Sequence, residues 1–413
     1  MESANLVAGL SRLVRDVGIA EELAQDALVI ALEKWPESGV PAKPGAWLMA
    51  TAKHRAIDVL RRQETLERKR EELGRSLEPH KAQAHVDPEH EDDIGDDLLR
   101  LIFICCHPVL STEARTALAL RLLGGLTTAE IARAFLLPET TIAQRIVRAK
   151  RTLAEAQIPF EVPERAEFPQ RLTSVLEVIY LIFNEGYLAT AGQDLLRPLL
   201  CEEALRLGRV LQGLIPEEAE VHGLVALMEI QASRLRARVG PHGEPLLLFE
   251  QNRGRWDRML IGRGLAALDR AERLGGANGV YALQAAIAAC HARAGSPEET
   301  DWARIVGLYG TLAGASPSPV VELNRAVAAA MAFGPAKGLE MVDVLRSEPS
   351  LKAYYLLPSV RGDLLEKLGR YPEARAEFEK AASLTVNQRQ RDLMLDRAAA
   401  CETDDTRIRP PNG

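Results

Sequence analysis

Leu126-Thr127-Thr128-Ala129-Glu130-Ile131-Ala132-Arg133-Ala134-Phe135-Leu136-Leu137-Pro138-Glu139-Thr140-Thr141-Ile142-Ala143-Gln144-Arg145-Ile146-Val147-Arg148-Ala149-Lys150-Arg151 reads as two short helices joined by a tight turn. Thr127 or Thr128 can cap the first helix, because a threonine hydroxyl accepts from a backbone N–H that a helix start leaves unpaired. Ile131, Ala132 and Phe135 then form its inner stripe, and the turn spans 136–138. Proline at the start of the second helix loses nothing, since its missing N–H has no intrahelical partner there. In that second helix Ile142, Ile146 and Leu153 recur near helical spacing and face inward. Thr140, Thr141, Gln144, Arg145, Arg148, Lys150 and Arg151 supply the polar, cationic remainder, and the only acid read into that helix, Glu139, lies at its start. Such a face suits a helix that reads the major groove, with Arg and Gln on base edges and Thr and Lys on phosphates.

Composition limits what surrounds this motif. A chain of 413 residues is long enough for two or three domains. Ala, Leu, Arg and Glu dominate, aromatic residues make up only 5%, and no alternating Val/Ile/Thr runs occur, so the chain reads as all-α. The net charge of −7 is unusual for a protein that must neutralise phosphates by itself. DNA contact is therefore expected in local basic patches, with another molecule supplying part of the binding. No apolar run approaches a membrane span, and the N-terminus lacks a signal-peptide core, which predicts a cytoplasmic protein with no membrane partner. Five unevenly placed cysteines make no disulfide framework. Cys105-Cys106-His107 reads as buried thiols, since adjacent cysteines cannot both reach one ion without strain; neither metal nor cofactor is expected.

Toward the N-terminus, residues 6–35 read as two helices, broken at Gly18. In the second, Leu23, Ala27, Ile30 and Ala31 face inward, while Glu22, Gln25, Asp26 and Glu33 line the other side. A proline- and glycine-rich loop is expected at 36–46. From Trp47 to Arg62 the pattern is helical again. At ~100° per residue His54, Arg55, Asp58, Arg61 and Arg62 cluster with Thr51, and Leu48, Ala52, Ala56 and Ile57 lie opposite. Residues 63–97 lose periodicity and end in an acidic run, which reads as a mobile linker. After Pro163 the character changes to helix after helix. Gly362, Leu365, Gly369, Tyr371, Ala374, Phe378 and Ala381 stand at the spacing of a tetratricopeptide helix pair, with weaker relatives at 263–295 and 320–346. The acidic end from Glu402 is expected to fray.

Taken in order, these motifs resemble the extracytoplasmic-function family of RNA polymerase sigma factors. Ala20-Glu21-Glu22-Leu23-Ala24-Gln25-Asp26 is similar to the family's acidic helix, Trp47 to Arg62 to its minus-ten helix, and Leu126 to Leu153 to its minus-thirty-five helix-turn-helix. His54 stands where the family usually has Asn. Phe183-Asn184-Glu185-Gly186-Tyr187, Arg255-Trp256-Asp257, Leu283-Gln284-Ala285-Ala286-Ile287, Thr300-Asp301-Trp302 and Leu323-Asn324-Arg325-Ala326-Val327 resemble a subgroup with a long helical extension. The implied domains are a region 2 domain (1–62), the linker (63–97), a region 4 helix-turn-helix domain (98–158) and a tetratricopeptide-like regulatory extension (168–401). The resemblance implies that Glu21, Glu22, Gln25 and Asp26 dock on the β′ coiled coil of core RNA polymerase, with the β flap as a second contact. It implies that Lys53, His54, Arg55, Asp58, Arg61 and Arg62 engage promoter DNA near the start site, and that the residues of the reading helix engage it upstream. In that subgroup the extension replaces a separate anti-sigma factor, through an intramolecular or protein partner.

Two other readings compete. A stand-alone helix-turn-helix regulator with a ligand- or peptide-sensing helical half needs no polymerase, and Glu22 and Asp26 would then tolerate substitution. An enzymatic helical half would draw on Glu185, Asp257, Asp301 and Trp302. No nucleophile–base pair, phosphate loop or metal spacing accompanies them, and helix caps account for such residues better. The chain is thus expected to be a non-enzymatic addressing factor.

Overall fold

The computed structural model describes residues 2–73, 91–135, 137–188, 196–240, 244, 246 and 248–408. These residues are mostly helical, with no β-strand among them. They divide into two compact units, 1–181 and 182–413.

The first unit holds α1 (Glu2–Val14), α2 (Val17–Ser38), α3 (Pro44–Leu73), α4 (Glu91–Cys105), α5 (Thr112–Leu122), α6 (Thr128–Phe135), α7 (Glu139–Glu155) and the start of α8 (Phe168–Tyr187). Leu6 and Leu10 of α1, Leu23 and Ala27 of α2, Leu48 and Ala52 of α3, and Leu101 and Ile102 of α4 are buried. They are the apolar positions that the 3.6-residue repeat places on one face of each helix. α1 packs on α2, α3 and α4, while α7 packs on α5, α6 and α2.

Several boundaries differ from the sequence expectations. The break after α1 falls at Arg15, whose φ is +53°, and not at Gly18. Asp16 then accepts from the Ile19 N–H at 2.9 Å, so α2 has already started when Gly18 is reached. α2 also runs through Pro36 to Ser38, which shortens the expected loop to 39–43. Proline is tolerated there because the carbonyl it leaves unpaired lies in the last exposed turn. The stretch read as a linker carries helix at both ends, in α3 as far as Leu73 and in α4 from Glu91; residues 74–90 lie outside the described residues. Asp97, counted with the acidic run, is buried against Arg12 at 3.2 Å and Arg100 at 2.6 Å.

The second unit continues with α9 (Pro198–Leu214), α10 (Ala219–Ala232), α11 (Arg258–Arg273), α12 (Val280–Arg293), α13 (Trp302–Ala315), α14 (Pro319–Phe333), α15 (Pro335–Leu345), α16 (Leu356–Lys367), α17 (Tyr371–Leu384) and α18 (Gln388–Ile408). Most helices pack mainly on their chain neighbours, as in helical-repeat stacks, while α12 packs chiefly on α10. The α16–α17 pair has the tetratricopeptide-like form expected from its spacing. Gly369 turns the chain at φ +72°, and Leu365, Ala374, Phe378 and Ala381 are fully buried. Gly362 lets the Phe378 ring lie against the backbone, since a Cβ there would come within 2.8 Å of it. The expected fraying is not seen at Glu402, where α18 is still helical and the carboxylate pairs with Arg375 at 3.0 Å. No helix among the described residues is long and apolar enough to cross a membrane.

Candidate functional site

Three helices of the first unit carry the candidate surfaces. The helix-turn-helix is fixed first at its N-terminus. Thr127 Oγ1 accepts from the Glu130 N–H at 3.2 Å, and the Glu130 carboxylate accepts from the Thr127 N–H at 2.8 Å. This reciprocal box satisfies two donors that the start of α6 leaves open. In α7, Ile142, Ile146, Ala149 and Leu153 are buried. Their burial turns Thr140, Gln144, Arg148 and Arg151 outward, with Thr141 and Arg145 half-buried at the edge. Arg151 is held along its own helix by Glu155 at 2.7 Å. Val147, which the sequence reading passed over, is 64% exposed in the middle of this polar face. An apolar group there can meet a thymine methyl. The available signal was its lack of register with Ile142, Ile146 and Leu153.

On α3, burial of Leu48, Ala52 and Ala56 leaves His54, Arg55, Asp58 and Arg61 exposed and Lys53 half-buried. The Arg62 side chain lies outside the described residues. Trp35 and Trp47 meet edge to face, with centroids 5.5 Å apart, and tie α2 to α3.

On α2 the four candidate acids and amides are not equivalent. Glu22, Gln25 and Asp26 are exposed. On the same side, Val29 at 52% and Leu32 at 76% exposure form an apolar strip beside them. The sequence reading did not select these two, although neither fits the inward stripe of Leu23, Ala27 and Ala31. Glu21, by contrast, is only 6% exposed. Its carboxylate accepts from Arg121 of α5 at 2.7 Å and from Gln25 at 2.9 Å, and meets the Lys150 ammonium of α7. Gly18, one turn earlier, lies close enough to Lys150 for a Cβ to touch its stem at 3.6 Å. Asp26 in turn pairs with Arg55 of α3 at 3.1 Å. Two candidate docking acids are therefore joined to two candidate DNA-binding cations.

The remaining singled-out groups have structural partners. Cys105 and Cys106 are buried free thiols, and burial pushes the Cys106 thiol up to about 12, far from thiolate chemistry at neutral pH. No cluster of three metal-ligating side chains occurs among the described residues. Asp257 caps α11 by accepting from Met259 and Leu260 N–H groups, Asp301 caps α13 through the Arg304 N–H, and Glu185 pairs with Arg197. These are the roles that helix caps and buried ion pairs perform.

Comparison with known proteins adds the following. Residues 3–65 match the family described as Sigma-70 region 2, residues 100–153 match Sigma-70, region 4, and residues 171–272 match a family of unknown function (DUF6596). An uncharacterised protein of Rhizobium meliloti (strain 1021) is 44% identical over 385 residues, which are 92% of this chain and 89% of that one. The ECF RNA polymerase sigma factor SigK of Mycobacterium ulcerans (strain Agy99) is 30% identical over 152 residues, covering 35% of this chain and 75% of its own. The crystal structure of yeast Tom70 overlays at a TM-score of 0.33 and 10% identity, over 99% of this chain and 84% of that one. That likeness is too slight to carry an argument.

Proposed function

We propose a division of labour on the premise that this chain belongs to the extracytoplasmic-function RNA polymerase sigma factors. The polymerase performs the chemistry, and the chain addresses it to promoters. Glu22, Gln25 and Asp26, with Val29 and Leu32 beyond them on the same side, dock on the β′ coiled coil. The β flap is the second polymerase contact. Lys53, His54, Arg55, Asp58, Arg61 and Arg62 engage the start-site region of the promoter and aid its opening. Thr140, Thr141, Gln144, Arg145, Val147 and Arg148 read the upstream element, with Lys150 and Arg151 on phosphates. The extension regulates promoter use, and the work is done in the cytoplasm.

One observation carries the detail of this reading: the ion pairs Glu21–Lys150 and Asp26–Arg55. The first joins a DNA-binding cation to a buried acid next to the docking face, and the second joins one to a docking acid. In the free chain the carboxylates compete with phosphate for the same cations. A polymerase surface that takes Asp26 releases Arg55, and separation of α2 from α7 releases Lys150. Docking and DNA binding then reinforce each other, because each removes the other's competitor. An acidic chain can serve in this way, since two of its DNA-facing cations, Lys150 and Arg55, are released on the polymerase. The test is retention of the purified chain on core polymerase, followed by transcription from a promoter library. A chain that ignores core polymerase yet binds an operator alone at ordinary salt is a stand-alone regulator, and the reading fails.

A further inference from the structure

The second unit contains a group of buried and half-buried arginines that form no ion pair among the described residues. Arg234 and Arg238 flank the short turn Leu235–Ala237, and Arg253 begins the turn Arg253–Arg255. Two aromatic rings link the three guanidinium groups. Arg238 Cζ lies 3.7 Å over the Tyr187 ring, whose hydroxyl accepts from Arg234 Nη2 at 2.7 Å. Arg234 and Arg253 both lie over Trp256, at 5.7 and 4.9 Å from its centroid.

The partners of these arginines are neutral. Arg253 donates to the carbonyls of His291 and Ala294 at 2.7 and 2.6 Å, and to the Thr300 hydroxyl at 3.3 Å. Arg238 donates to the Tyr187 carbonyl. Among the described residues none of the three forms an ion pair. Glu298 and Glu299, the acids whose field Arg253 feels, are exposed on the loop before α13 and are engaged elsewhere, with Ser296 and the Gly295 N–H. Two further donors at this place, Arg253 Nε and Trp256 Nε1, are buried without a hydrogen-bond partner. His291 adds no further positive charge. Burial and the fields of Arg234 and Arg253 push it down to about 4, so the imidazole is neutral at physiological pH.

Like charges gathered at a low-dielectric place repel, and an unpaired buried charge is costly. Arginine also presents a planar fork suited to two oxygens of one anion. Among the described residues Arg234 and Arg238 each give a single side-chain hydrogen bond, so neither fork is used in full by the protein. We infer that Arg234, Arg238 and Arg253, set around Tyr187 and Trp256, form a binding site for a small multiply charged oxyanion, a phosphate or polycarboxylate ligand. The surrounding rings supply flat apolar walls, and the guanidinium groups supply charge and direction. The inference concerns the second unit alone, and it stands whether or not the chain serves a polymerase.

The test is isothermal titration of the full chain with pyrophosphate and with citrate, at fixed ionic strength set by chloride. Saturable one-to-one binding of either is expected, and the preferred one tells a phosphate ligand from a polycarboxylate. Arg234→Gln and Arg238→Gln should each weaken binding at least tenfold, and Arg236→Gln, on the exposed side of the same turn, should leave it unchanged. Arg234→Lys keeps the charge and guards against misfolding as the cause. It should retain the helical circular dichroism of the parent and still lose affinity, because the fork is gone. Absence of saturable binding by both probes overturns the inference, as does binding that survives Arg234→Gln and Arg238→Gln intact.

Discussion

Replacing Glu21 by Gln keeps the volume at the α2–α7 junction and removes its one negative charge. Glu21 is 6% exposed, and the side chains it holds, Arg121 and Lys150, are 23% and 22% exposed. Removing one member of a buried ion pair costs about 3–5 kcal/mol, because the partner charge stays behind unpaired. Both cations keep some contact with water, which places the expected loss at the lower end, about 3 kcal/mol. At 1.4 kcal/mol per decade, that shifts the equilibrium for separating α2 from α7 by roughly 100-fold. Urea unfolding of Glu21→Gln, Lys150→Met and the double variant forms a cycle that isolates the pair, with Met preserving most of the lysine stem. The expected coupling is about 1–2 kcal/mol, within the range for residues in direct contact. Two functional readouts follow. Lys150, once released, should raise the DNA affinity of the free chain and steepen its salt dependence by about one phosphate contact. Retention on core polymerase should persist, because Glu22, Gln25 and Asp26 still face outward. Additivity within about 0.3 kcal/mol refutes the reasoning. Loss of core binding with unchanged stability also refutes it, since Glu21 would then be a direct contact.

Val29→Asp and Leu32→Asp change exposed positions and should alter unfolding by less than about 0.5 kcal/mol. Both should nonetheless abolish retention on core polymerase in a pull-down. Arg148→Ala, on the outward face of α7, should cost about 1–3 kcal/mol of promoter affinity if it contacts a base, with relaxed preference at one position in a promoter library. Gly362→Ala forces a Cβ to within 2.8 Å of the Phe378 ring. It should lower the stability of the second unit by about 1–3 kcal/mol, read as a shift in the urea midpoint. His291 is held down to about 4 in the fold against 6.5 in the free residue. The unfolded chain therefore binds the proton more readily. Its contribution to stability is full above pH 6.5 and is lost as pH falls toward 4, at most about 3 kcal/mol. A His291→Gln variant should show a flatter stability profile across that window.

The inner faces were legible in the sequence because a single helix determines them. Ile142, Ile146 and Leu153 of α7, like Leu23, Ala27 and Ala31 of α2, lie where the helical repeat places them. The α16–α17 pair was legible for a related reason. Gly362, Gly369 and Phe378 are close in sequence, and the turn between their helices leaves little freedom in how they meet. Boundaries were harder wherever local chemistry outweighed a breaker residue. Asp16 caps α2 ahead of Gly18, and the exposed last turn absorbs Pro36.

Charge pairing was illegible for a deeper reason. A periodicity argument assigns Glu21 to a face of α2 but says nothing about which helix lies across from it. Arg121 is 100 positions away in the chain, and Lys150 is farther still. Glu21 and Glu22 are adjacent and chemically alike, yet the ~100° step between them turns one into the α5–α7 contact and the other to solvent. The same step separates Lys150, bound at the junction, from Arg151, exposed beside it. Runs of like charge along a helix are therefore two populations interleaved. Members facing another helix hold the fold, and members facing water are free to meet a partner. Only the three-dimensional packing assigns each residue to its population, and for that reason Glu21 and Lys150 should respond to substitution through stability first, while Glu22 and Arg148 should respond through binding.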